Sequence, residues 1–457
     1  MMKQSYIYIV LVLMFFTSCK VGQKFEKPEM QLPETLSKKQ LAGDSACIAD
    51  LKWWDVYSDT ILQKLIRKTL DNNKDIKKAA ARVEELAALK RIDLANLFPQ
   101  FDANIYANKE GSNYGGDNYK GDSEFGAKAT VSWELDLWGN LRWAKDKSKA
   151  QFLASVEAQN ALRMSIIAEV AQAYFELVAL DNELAIVKQT LNARQEGMRI
   201  AKLRFESGLT SETSYQQAQL EYARTATLVP DLERKISLKE NDIAFLAGEF
   251  PSVIERSVLQ EDAPLPDFLP VGLPSTLLER RPDVREAELN LMAANASVGI
   301  SFTNMFPKIS LTAQYGLESE EISDFLKSPI FYMGAKLLTP LFAMGKNRAM
   351  WKSKKAAYKQ ECYNYEKVVL GAFRDARNAI VDFNKIDEIF ESRLQLEKSS
   401  EATMKLAQLQ YINGVIGYLD VLDAQRSHFD AQIGLSNAKR DKQIALVRLY
   451  KALGGGW

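Results

Sequence analysis

The sequence is poor in the residues that carry most protein chemistry. Of its 457 residues one is histidine and three are cysteine. Most zinc and Cys/His sites need several such ligands at set spacings, so these classes are excluded. Neither sign of charge is in excess, with 59 Lys and Arg against 59 Asp and Glu. A nucleic-acid binder needs a basic surplus to neutralise phosphates, and that class is excluded too. No apolar run reaches the ~20 residues that a membrane-spanning helix requires. Proline is absent from residues 100 to 229 and from 341 to 457, so it interrupts neither stretch. Carboxylates are abundant, yet no nucleophile–base pair or metal constellation stands out. The chain reads as a non-enzyme with a structural or transport role.

What is present begins at the N-terminus. Met1-Met2-Lys3, the apolar run Tyr6 to Phe16 and the small residues Thr17-Ser18 form a secretory signal over residues 1–18. Cys19 is either an ordinary residue past the cut or a lipidation site. Phe16-Thr17-Ser18-Cys19 resembles a bacterial lipobox, and lipidation at Cys19 is the reading taken. Lipid anchoring contributes about 0.8 kcal/mol per buried CH₂, and more than one chain holds stably. In this class an Asp after the cysteine retains the protein at the inner membrane; Lys20 fits transfer to the outer one. The spacing of Cys47 and Cys362 gives no support to a disulfide.

The chain contains itself twice. Asn96-Leu97-Phe98-Pro99 recurs as Asn304-Met305-Phe306-Pro307, 208 residues later, and the same offset pairs Asp75 with Asp283 and Ala79 with Ala287. Beyond a two-residue indel, an offset of 206 pairs Gly139 with Gly345, Gly208 with Gly414 and Gly248 with Gly454. Three glycines at one offset argue for a duplicated unit, far longer than a solenoid repeat. Six of the thirteen prolines cluster between Gly248 and Asp283. The organisation is therefore a signal peptide (1–18), a lipidated N-terminal arm (19–52), a first repeat (53–248), a Pro-rich linker (249–274) and a second repeat (275–457).

Each repeat has the same plan. Residues 60 to 97 read as helix, broken at Asn72-Asn73 and ended by Pro99. The period then changes to two. Phe101, Ala103, Ile105 and Ala107 alternate with polar residues; a loop spans Gly111 to Asp122; alternation resumes from Phe125 through Val131 and Trp133 to Leu137. In the second repeat Ile309 to Leu317 and Phe331 to Leu337 do the same. Strands of this length suit a tilted membrane strand of about 9–11 residues, although a soluble hairpin with one wet face has the same pattern. After each hairpin runs a long helix, Asn140 to Glu206 in the first repeat, with the single glycine Gly197. A glycine turn at Gly208, or at Gly414 and Gly417, sends the chain back as one second helix, to about Phe245 and to Leu453. The expected fold is mainly α with a membrane β-barrel: a long helical-hairpin tunnel plus four strands per chain. Four strands have two open edges, which lipid does not tolerate. Eight strands make a filled barrel and twelve leave a channel, so the expected state is a homotrimer closing a 12-stranded barrel.

Five ordered motifs carry a resemblance. They are Trp53-Trp54-Asp55-Val56-Tyr57, Asn73-Lys74-Asp75-Ile76, Trp133 to Gly139, Leu278 to Arg285 with Arg280-Arg281-Pro282-Asp283, and Tyr418 to Gln425. The chain resembles the TolC-like outer-membrane efflux proteins, in the lipoprotein branch of OprM and NodT type. The resemblance implies an outer-membrane exit duct of a tripartite pump, extending into the periplasm. Its partners would be a periplasmic adaptor, an inner-membrane pump of the resistance-nodulation-division (RND) type and outer-membrane lipid, with no cofactor beyond the lipid on Cys19 and no metal. The exit duct of a type I protein secretion system and a lipid-tethered periplasmic coiled-coil scaffold stay open as alternatives.

The family narrows its periplasmic end with a Leu and an Asp four apart. Carried over, these are Leu419 and Asp423, on one helix face. Asp420 is counted with them at the gate, although it points roughly 60° away from Asp423. Acidic rings favour cations and apolar constrictions resist wetting. The first repeat has uncharged Thr213 and Gln217 there, so any ring comes from the second alone. The docking tips for the adaptor would be Gly208, Leu209, Thr210 and Ser211, and Gly414, Val415, Ile416 and Gly417. His428 reads as a surface or interhelix residue, and Arg280-Arg281 as structural salt-bridge partners.

Overall fold

The structure, a computed structural model, describes residues 20–33, 47–57, 59–112, 120–257, 274–340 and 344–456. The signal peptide, Cys19 and linker residues 258–273 lie outside the described residues. In chain order the elements are helices α1 (Trp53–Val56), α2 (Thr60–Asn72) and α3 (Lys74–Ala95), then strands β1 (Gln100–Ser112) and β2 (Lys120–Leu135). There follow α4 (Asn140–Glu206), α5 (Glu212–Ala226), α6 (Leu228–Leu246), α7 (Pro274–Arg280) and α8 (Pro282–Thr303). Strands β3 (Lys308–Ser319) and β4 (Pro329–Leu338) and helices α9 (Lys346–Ile412) and α10 (Tyr418–Ala452) complete the chain.

The duplication is written in the backbone. Helices α3 and α8 are both 22 residues long, and α4 and α9 are both 67. At about 1.5 Å per residue each long helix measures roughly 100 Å. The three glycine pairs have matching left-handed φ: +82° and +78° at Gly139 and Gly345, +71° and +74° at Gly208 and Gly414, and +71° and +86° at Gly248 and Gly454. That region costs any residue with a Cβ about 1–2 kcal/mol, which is why the offset falls on glycine.

Four differences from the sequence reading have physical reasons. The loop expected over 111–122 is shorter, because Gly111 pairs with Gly121 and Ser112 with Lys120, extending the ladder toward the turn. Strand β2 stops at Leu135 rather than Leu137, since the Asp136 carboxylate turns to accept the N–H groups of Leu141 and Arg142 and caps α4. The first return helix is split at Thr227 into α5 and α6. Pro230 removes an N–H and crowds the preceding turn; α10, with no proline, runs 35 residues unbroken. Finally, Gly417 has φ −81° and is the N-cap of α10 rather than a left-handed turn.

The chain divides into two compact units that interleave the repeats: residues 1–30, 81–157 and 286–367, and residues 31–80, 158–285 and 368–457. The first holds the sheet, antiparallel in the order β1-β2-β3-β4. Register puts every apolar set on one face. Ala103 faces Ala129, which faces Tyr315, which faces Phe331; Phe101 faces Val131, Ala313 and then Met333. This face is bare: Ile105 is 83% exposed and Met333 72%. The opposite face is polar, with the Tyr106 hydroxyl 2.9 Å from both the Glu124 and Glu318 carboxylates and Lys128 paired to Glu318. A soluble sheet would turn the apolar face inward. No described helix is long and apolar enough to cross a membrane.

The second unit has an ordinary core around Tyr174, Leu177, Leu62, Ile66, Ile243 and Leu449. The Tyr174 hydroxyl donates to Asp59 at 2.7 Å, and Asp59 caps α2 through the N–H groups of Ile61 and Leu62. The Arg280 guanidinium lies 2.6 Å from Asp50, and buried Arg281 lies 2.6 Å from Asp283 and donates to the Ala452 carbonyl, which is the structural role expected of both. Cys47 and Cys362 are free thiols.

A Cβ at Gly248 would sit 2.5 Å from the Asn72 carbonyl oxygen, whereas one at Gly414 meets nothing within 4 Å. Gly414→Ala should therefore cost about 1–2 kcal/mol from φ alone, and Gly248→Ala distinctly more. Thermal unfolding in detergent checks this; equal losses would contradict it.

Candidate functional site

The two hairpin tips are built alike. Gly208 donates to Phe205 O at 2.9 Å and Leu209 to Arg204 O at 2.8 Å; Gly414 donates to Tyr411 O at 3.0 Å and Val415 to Gln410 O at 2.9 Å. Each pair of bonds is a Schellman motif, which satisfies the last carbonyls of the long helix. Leu209 and Val415 stand out at the two apices, 68% and 70% exposed. Ser211 is exposed beside them, and Thr210 and Ile416 are half-buried. The Gly417 N–H donates to the Asp420 carboxylate at 3.0 Å, so Asp420 caps α10.

Leu419, Asp420 and Asp423 are all exposed on the first turns of α10. Leu419 and Asp423 lie one turn apart on the same side, as their spacing requires. Asp423 contributes an attractive field at Arg426. Thr213 and Gln217 occupy the corresponding turns of α5.

Behind these residues lies a charged clamp that sequence reasoning did not find. Glu221 on α5 is only 2% exposed. One of its carboxylate oxygens is 2.6 Å from the Arg426 guanidinium on α10, the other 3.1 Å from that of Arg194 on α4. Arg194 also donates to the Thr225 hydroxyl and to the Glu221 carbonyl, and sits 5.5 Å from the Phe429 ring. Burial alone would raise the Glu221 pKa; the Arg426 hydrogen bond and the fields of both arginines outweigh it and hold the carboxyl below its ordinary range. Burial also lowers the Arg194 pKa, and burial pushes the Tyr418 phenol up to about 12. Arg204 stacks over Tyr411, 4.9 Å from the ring, and Tyr411 meets Tyr418 at 5.5 Å. One carboxylate thus holds three helices through two guanidinium groups.

A signal for the clamp was available. The buried residues of α5 are Ala218, Glu221 and Thr225, at i, i+3 and i+7, so the carboxylate lies on the stripe of an inward face. The second repeat has a hydroxyl–imidazole contact at the matching level. Ser400 stands 206 residues after Arg194 and lies 3.2 Å from His428 Nδ1, which makes His428 an interhelix residue. Among the described residues no group of His, Cys, Asp and Glu side chains could hold a metal ion.

Comparison with known proteins gives a consistent result. The sequence profile of the family described as Outer membrane efflux protein matches residues 65–249 and 273–455. The cation efflux system protein CusC of Escherichia coli O6:H1 is 29% identical over 454 residues, covering 98% of this chain and 97% of CusC. The probable outer membrane lipoprotein SilC of Salmonella typhimurium is 28% identical over the full length of both. The crystal structure of the Campylobacter jejuni outer membrane channel CmeC matches with a TM-score of 0.89 at 25% identity, over 96% of this chain and 95% of that one.

Removing Glu221 takes the nearest counter-charge from the buried Arg194 guanidinium, so Glu221→Ala should cost about 3 kcal/mol at pH 7. A carboxyl with a lowered folded pKa gives stability that is complete above its unfolded value and lost as pH falls through the folded one. The gap between wild type and Glu221→Gln should therefore be constant at neutral pH and close below the ordinary value of 4.5. Urea unfolding across pH 3 to 7 tests this; a gap that does not change with pH would contradict it.

Proposed function

The chain belongs to the outer membrane efflux protein family and is an outer-membrane exit duct of an efflux pump; on that premise we propose how it does this work. The observation that carries the reading is the four-stranded sheet, apolar and bare on one face, polar on the other, with two outer edges that have no partner among the described residues. We infer that three copies close one twelve-stranded barrel in the outer membrane, and that lipid on Cys19 anchors each chain there. The relative SilC, a probable outer membrane lipoprotein, supports the anchor. The polar strand face then lines the passage, and the apolar face meets lipid.

At the periplasmic end the exposed tips Gly208-Leu209-Thr210-Ser211 and Gly414-Val415-Ile416-Gly417 meet a periplasmic adaptor, which couples the duct to an inner-membrane pump of the RND type. Bare Leu209 and Val415 support this role, since both are large, apolar and unshielded. Leu419 and Asp423 form the gate, an apolar ring and an acidic ring in the trimer. The Arg194–Glu221–Arg426 clamp keeps α10 against the first hairpin and so sets the ring's resting width.

In planar bilayers the wild type should open to a small conductance, and Leu419→Ala combined with Asp423→Ala should raise it. Unchanged conductance would count against these two residues as the gate, and absence of any channel would sink the duct. Leu209→Glu and Val415→Glu should abolish adaptor capture and leave the channel intact; normal capture would refute docking at the tips.

A further inference from the structure

Aromatic side chains cluster where the strands join the helices. Trp138 stacks on Phe306 at 5.0 Å and donates its indole N–H to Pro307 O at 2.8 Å; Phe302 meets Trp351 at 5.6 Å. Aromatic girdles of this kind mark the level of a membrane–water interface on a barrel. Directly beside it, residues 20–25 are pinned across the start of α4. The Val21 N–H donates to Trp138 O at 3.1 Å, the Trp143 indole donates to Val21 O at 2.8 Å, and Lys20 lies over the Trp143 ring. Between this strap, α4 and α8 is a cavity of about 480 Å³, walled by Phe25, Leu153, Leu289 and Met292 and rimmed by Lys20, Lys24 and Lys149.

The rim has more cations than the protein needs. Lys20 is paired with Asp146. Lys24 and Lys149 are exposed and have no ion pair among the described residues. An anion between Lys24 and Lys149 gives both a counter-charge.

We propose that this cavity binds an anionic phospholipid of the leaflet at the strand ends, the phosphate between Lys24 and Lys149 and the first acyl carbons against Leu289 and Met292. The proposal rests on the reading of the four strands as the membrane span. A zwitterionic lipid brings its own cation to the rim and gains less. The site would hold the neck of the barrel at the depth where charged headgroups begin.

The test uses the full-length protein purified in detergent, with phosphatidylglycerol and phosphatidylcholine added in equal amounts and bound lipid counted by native mass spectrometry. The wild type should keep one phosphatidylglycerol per chain. Lys24→Glu combined with Lys149→Glu should lower its occupancy by about tenfold or more, from roughly 1 kcal/mol per surface cation. Equal retention of the two lipids, unchanged retention by the variant, or displacement of the lipid by inorganic phosphate would each overturn the proposal. Alkaline carbonate separately tests the reading beneath it: release of a Cys19→Ser chain from membranes would remove the membrane span and the lipid site together, while retention leaves the lipid count to decide.

Discussion

A strand at the edge of a sheet carries a row of N–H and C=O groups with nothing opposite them. In water these groups bond solvent; in hydrocarbon each one left unpaired costs several kcal/mol. Strands β1 and β4 present two such rows, on a sheet whose apolar face is turned outward rather than into a core. The apolar face calls for lipid and the edges forbid a lone chain in it. On the proposed reading, closure onto other copies satisfies both demands, and the polar faces are then enclosed as an exit duct requires.

The rest of the structure serves that geometry through repetition. Two copies of one plan place two hairpins side by side in a single sheet, with β2 and β3 paired across the repeat boundary over eleven register positions from Phe125–Ser319 to Leu135–Ile309. Left-handed glycines stand at the same three points of each copy, at the entry to the long helix, at its tip and at the end of the return. The copies have diverged where the chain is asymmetric in charge. The first repeat has Arg194 and Glu221 between its helices, the second Ser400 and His428. Asp423 belongs to the second alone. The proposed gate residues therefore sit on the second hairpin, and the clamp joins Arg194 and Glu221 of the first to Arg426 of the second.

Much of this was legible from residue order, for reasons that can be named. Glycine at a positive φ is nearly obligatory, so the offset of 206 survived in the sequence. Strand alternation was plain because one face is apolar and the other polar, and the long helices because they lack proline. The missed features depend on tertiary contact. Gly111 and Gly121 look like loop residues until they pair. Pro230 splits a helix whose pattern otherwise continues. Glu221, Arg194 and Arg426 read as ordinary helix charges, and only the place of Glu221 on the stripe of Ala218 and Thr225 hints that it faces inward. Asp420 was placed at the gate by its motif, and its bond to Gly417 N–H gives it a capping role as well.

The central claim is that the edges of β1 and β4 meet between chains. Its most direct test is a chain with Cys47 and Cys362 replaced by Ser and with Ala103→Cys on β1 and Ala335→Cys on β4, crosslinked in native membranes by a short bifunctional thiol reagent. The account predicts a ladder on a denaturing gel that ends at three chains and that needs both cysteines. A product linking the two strands within one chain, or a gel showing monomer alone, would contradict it.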